Sequence, residues 1–154
     1  MDNRMAHRIC QILVILACAV GVAALSACKA KPQVESISSI AGDPPIEWRL
    51  TSMQGTAVAA TPPVTLRLTN DGAMSGKSFV NNYFGKTTIT GSGTLLIGEI
   101  GSTMMAASPE LMDSEQTYFK LLNQVNRFTT SGDTLTLLHN DEPLLVFTRH
   151  ASPP

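Results

Sequence analysis

Apolar and polar residues alternate with a period of two over most of the chain from Trp48 to Thr148, which is the pattern of half-buried strands. Trp48 and Leu50 alternate with Arg49 and Thr51, and Val64, Leu66 and Leu68 alternate with Thr65 and Arg67. Asn70-Asp71-Gly72 follows as a hairpin turn, since Asp and Gly tolerate the positive φ that tight connections need. The chain then returns through Ala73–Ser78 and onward over Phe79–Thr90, with a bend expected at Gly76. Gly91-Ser92-Gly93 reads as a turn and Thr94–Ile100 as a short strand. Val125–Thr130, Thr134–Leu138 and Leu144–Thr148 predict a three-stranded meander, turning at Ser131-Gly132-Asp133 and at His139–Pro143. The stretch Asp71–Gly85, rich in glycine, asparagine and aromatic residues, predicts the tightly turned centre of the β fold.

One segment departs from this period. Between Pro109 and Gln124 the apolar residues Leu111, Met112, Tyr118, Phe119 and Leu122 recur mostly at spacings of three and four, which predicts one helix. Ser108 before Pro109, or Asp113 and Ser114 before Glu115, would start it. Strands, one helix and three more strands predict an α+β, mostly β fold: a curved antiparallel sheet or partial barrel packed on one helix.

The N-terminal part has a different character. Asn3, Arg4, His7 and Arg8 precede an almost wholly apolar run from Ile9 to Ala24, which ends in Leu25-Ser26-Ala27-Cys28. That order is export-signal architecture. The run is also about long enough for a membrane helix of roughly twenty residues, and retained-helix and ordinary-cleavage readings stay open beside the favoured one. Leu-Ser-Ala-Cys resembles the bacterial lipoprotein box, so residues 1–27 are expected to be a signal peptide and Cys28 the lipidated first residue of the mature chain. Stable anchoring takes two or more acyl chains, and the membrane is then a partner through lipid. Lys29, where aspartate is the familiar inner-membrane retention signal, points to the outer membrane, with the domain facing the periplasm. Residues 28–45, polar with prolines and serines, read as lipidated cysteine and tether; 46–150 as the domain; and 151–154 as a frayed tail.

Composition narrows the chemistry. Of three cysteines, Cys10 and Cys18 lie in the signal and Cys28 takes the lipid, which leaves no thiol for a disulfide, a metal site or catalysis. A net charge of -1 without a basic run argues against nucleic acid. His139 and His150 fall in a turn and near the tail, no serine sits in a G-x-S-x-G elbow, and Gly91-Ser92-Gly93 lacks the context of a phosphate loop. No catalytic residue, metal or cofactor is therefore expected. Glu115 reads as a helix-dipole carboxylate rather than a buried acid.

Asn81 and Asn82 would point to opposite faces of a strand, so one faces inward and must be hydrogen-bonded there; the structural reading is an amide that pins a neighbouring turn. Met104 and Met105, with Met53, Met74 and Met112, are read as core filling, with an adaptable apolar surface as the alternative.

Trp48-Arg49-Leu50 with Gly55, Pro63–Leu66, Asp71-Gly72, Ser75-Gly76, Val80–Gly85, Ser102–Ala106, Glu115 ahead of Phe119 and Leu122, and Gly132–Leu137 together resemble the META domain, also called the heat-shock protein HslJ family. The resemblance spans Trp48 to Phe147. It implies a small, mostly antiparallel β fold with one helix, often exported, with no catalytic residues to carry over. Many members have cysteines where this chain has Val80 and Ala107, which implies that these two segments lie side by side, held here by apolar packing. Asn81, Asn82, Tyr83, Met104 and Met105 are the binding or structural candidates. The function expected is non-catalytic binding or assembly with an envelope protein partner, with an apolar-ligand carrier as the alternative. A cavity of several hundred cubic ångströms lined by Met and aromatic residues would favour the carrier, and an exposed apolar patch or free sheet edge the partner.

Overall fold

The computed structural model describes residues 36–42, 44–91 and 93–150. The expected signal peptide, Cys28, and the tail 151–154 lie outside the described residues. The elements are α1 (Ile37–Ala41), β1 (Glu47–Met53), β2 (Thr56–Ala57), β3 (Thr65–Leu68), β4 (Ala73–Lys77), β5 (Asn82–Thr90), β6 (Thr94–Ser102), α2 (Pro109–Gln124), β7 (Arg127–Ser131), β8 (Thr134–His139) and β9 (Glu142–His150). Among the described residues no helix is long and apolar enough to cross a membrane.

The strands form one antiparallel sheet in the order β2-β1-β3-β4-β5-β6-β7-β8-β9, and it closes because β1 also pairs with β9 from Glu47↔His150 to Met53↔Leu145. β3 and then β2 share the other edge of β1. The ring is weakest between β6 and β7, which meet in the single pair Thr94↔Arg127. Chain order explains this: α2 is inserted between these two strands, and it packs against β6 and β9. Its inward residues Glu115, Tyr118, Leu121 and Leu122 follow helical spacing and face the core.

That core contains Trp48, Leu50, Leu66, Leu68, Met74, Tyr83, Phe128, Leu135, Leu137 and Phe147, the inward positions of the alternating runs. The meander is as expected, with its second turn tightened to Asn140-Asp141 and Asn140 at φ 56°. The turn at Asn70-Asp71-Gly72 is also present: Gly72 has φ 82°, and a Cβ there would lie 2.5 Å from the Thr87 carbonyl oxygen.

Three expectations change. Ile37–Ala41, read as part of a tether, is a helix whose Ile40 and Ala41 are fully buried; the Trp48 indole donates to the Ile40 carbonyl at 2.7 Å and the Ile46 amide to that of Ala41 at 2.8 Å. Five residues are too short for a periodicity signal, and the core ring of Trp48 supplies what the local sequence lacks. Phe79–Thr90 is not one strand: the chain reverses at Ser78–Asn81, and Lys77 pairs with Asn82. Gly76 is no bend but a position inside β4, where a Cβ would lie 2.0 Å from the Thr65 carbonyl oxygen and 2.7 Å from the Tyr83 hydroxyl. A glycine there lets the Tyr83 ring and β3 approach the backbone.

Candidate functional site

The reversal at Ser78–Asn81, the segment after β6 and the second turn of α2 meet at Glu115. This carboxylate is only 5% exposed. Its Oε2 accepts from the amides of Val80 at 3.0 Å and Asn81 at 2.8 Å and from the Ser78 hydroxyl, while Oε1 accepts from Asn81 Nδ2 at 2.6 Å. Burial alone would raise the carboxyl, but the hydrogen bonds from Ser78, Asn81 and Val80 outweigh it and hold it below the ordinary carboxylate range. Glu115 is therefore the buried acid that the dipole reading set aside. The helix begins at Pro109, so Glu115 lies past the first turn and on the inward face.

Asn81 passes the fixation on. Its Oδ1 accepts from the Met105 amide at 2.7 Å and from the Thr103 hydroxyl at 2.8 Å, while Asn82 exchanges bonds with Thr103 through its amide at 3.2 Å and its carbonyl at 3.0 Å. The structural reading of Asn81 is thus what the geometry shows, although it sits in a turn rather than a strand. Asn81 is inward and Asn82 exposed, as the two-faced argument expects. The segments of Val80 and of Met105 do lie side by side. The link is polar rather than apolar, however: Ala107 is exposed, and the Asn81 amide group spans the gap.

Tyr83 is a core residue. Its hydroxyl donates to the Thr65 carbonyl at 2.8 Å and meets the Tyr118 hydroxyl at 2.7 Å, and its ring stands edge-on to those of Tyr118 and Phe119 at 5.7 Å. Burial pushes both phenols above their ordinary range, so both remain protonated donors.

The methionines divide. Met74 fills the core, and Met53 packs against it. Met104 is 99% exposed, Met105 48% and Met112 37%, which overturns core filling for these three. They surround an open cavity of about 600 Å³ whose wall includes Asn81, Glu115 and Phe119. A second cavity of about 640 Å³ lies on the other flank of α2, between residues 53–62 and the helix, with Phe79 and Leu111 in its wall. His139 and His150 do not converge. Glu142 opposes His139, and β9 then runs eight residues on to His150, roughly 26 Å at the usual strand rise.

The Ser78–Glu115 bond and α1 carry no pattern of their own along the chain. Glu115 among the family-like positions is the one signal for the first, whereas nothing local signals the second.

No curated protein matches the chain. Two structures solved by NMR share its fold. One is a protein from Burkholderia xenovorans, with TM-score 0.59 and 24% identity over 80% of this chain and 94% of that one. The other has TM-score 0.58 and 21% identity over 74% of this chain and 94% of its own. The family described as META domain matches residues 44–152. With its single closed antiparallel sheet, its inserted helix and that match over most of its length, the chain belongs to the META domain family.

Proposed function

We propose that this chain is a lipid-anchored cell-envelope protein whose META domain acts without catalysis, binding an apolar segment of another envelope protein. The observation that carries this is the exposed apolar set Met104, Met105 and Met112 at the start of α2, beside a wall fixed by Glu115 and Asn81. Methionine side chains are unbranched and polarizable, so they adapt to irregular apolar partners, and contiguous exposed apolar surface marks interaction sites. Lipidation at Cys28 would hold the domain at the membrane, and Lys29 favours the outer membrane on its periplasmic side. A role during envelope stress fits the heat-shock designation that accompanies the family.

Two measurements test this. A photocrosslinking amino acid at Met104 should capture a discrete envelope protein in intact cells, with no such adduct from the same probe at Thr88, an exposed position on β5; equal capture at both positions would sink the docking face. Cys28→Ser should abolish acyl labelling and release the protein from membranes, and unchanged retention would refute the anchor.

A second reading has its own support. The cavity between residues 53–62 and α2 lies between sheet and helix, has Met53 and Phe79 in its wall, and has the size of a small-molecule site. A ligand carrier would use this flank.

A further inference from the structure

The cavity between residues 53–62 and α2 differs from the methionine-lined one in its electrostatics. Met53, Val58, Ala60, Phe79 and Leu111 give it apolar walls, and Thr56, Thr61, Ser114 and Thr117 add hydroxyl-bearing residues to its lining. Among the described residues its one charged lining side chain is Glu110, in the first turn of α2. Among the described residues no lysine, arginine or histidine lines it. A helix N-terminus ordinarily attracts anions through its free amides. Here the first turn already carries a carboxylate of its own, Glu110, which its backbone amide and Ser108 hold below the ordinary carboxylate range. The amide end is thus already answered by an internal anion, and a second negative group would meet an ionised carboxylate.

At about 640 Å³ the space matches drug-sized ligands rather than ions or long chains. We propose that this cavity binds a small amphiphile with one positive charge, its cation beside Glu110 and its apolar body between Val58–Ala60 and Leu111. The proposal rests on the carrier reading and adds to it the sign of the ligand's charge. It is independent of the methionine face across the helix.

Three probes with one skeleton separate the two levels: 3-phenylpropylamine, 3-phenyl-1-propanol and 3-phenylpropionate, each titrated into the purified ¹⁵N-labelled chain. The amide resonances of Ala57, Ala59, Ala60, Leu111 and Thr117 should shift saturably with the amine. The alcohol should bind about two- to five-fold more weakly, the range of a solvent-exposed ion pair, and the carboxylate more weakly still. Glu110→Gln should bring the amine down to the level of the alcohol while leaving the alcohol unchanged. Equal binding of amine and alcohol, or an order that survives Glu110→Gln, would overturn the charge inference and leave the carrier reading standing. The absence of saturable shifts at these residues with any of the three would remove both.

Discussion

Asn81 and Met104 lie within one small region of the molecule and show opposite physics. Around Asn81 every buried side-chain polar atom has a partner: the Ser78–Asn81 turn donates to the Glu115 carboxylate of α2, and the Asn81 side chain in turn holds the segment of Thr103 and Met105. Around Met104 large apolar side chains stand in solvent. The amide of Met105 belongs to the first group and its side chain to the second, so one residue joins them. The lesson is a division of labour: the buried polar network fixes the backbone of the ledge, and the side chains on that ledge are free to serve a partner. Stability and binding should therefore respond to different substitutions.

The largest expected effect is at Glu115. All its partners are neutral donors, and in Glu115→Gln the new NH₂ group would face donors in place of an acceptor, which costs about 3 kcal/mol. Denaturant unfolding measures it. The same substitution tests the pH dependence. The native Glu115 carboxyl sits below its unfolded value of about 4.3. Its contribution is therefore complete above that pH and lost as pH falls through the lower native value. Wild type should lose more stability than Glu115→Gln on acidification below about pH 4. Parallel stability curves for the two proteins would show that the carboxylate is not the latch.

Asn81→Leu removes the acceptor for Thr103 and Met105 and one donor to Glu115. An expected loss of about 2 kcal/mol should come with faster amide exchange at Met105. A variant with normal melting and lost partner capture would instead move Asn81 from scaffold to contact surface. Tyr118→Phe deletes one member of the buried hydroxyl pair but leaves Tyr83 its bond to Thr65, so the loss should be smaller, about 1 kcal/mol. Thermal melting measures it. At the other extreme, Met112→Ser should change stability by less than about 0.5 kcal/mol while reducing capture of the envelope partner by the probe at Met104. A large drop in melting temperature would mean that this side chain is structural after all.

Much of this was legible without coordinates, because it is local. Alternation of apolar residues at Trp48–Thr51 and Val64–Leu68 marks the inward faces of β1 and β3, and the Pro109–Gln124 periodicity marks α2 to its observed ends. Each signal repeats over several residues of one element, and burial of one face imposes it. The hydrogen-bonded Asn81 side chain follows for a related reason: an inward amide must be paired wherever it sits.

Tertiary structure alone decided the partners. Nothing near Ile37–Ala41 announces that this single turn and a half of helix will be held by an indole eight residues away. Nothing within α2 reveals that Glu115 accepts from residues more than thirty positions earlier, because a carboxylate on a helix is equally at home in water. The same holds for the methionines. Their side chains suit core and surface equally, and only closure of the sheet on α2 placed Met74 inside and Met104 outside. Periodicity along the chain determined which residues form strands and helix. Contacts between segments far apart in sequence, which no local pattern encodes, determined which of their side chains hold the fold and which are left to meet a partner.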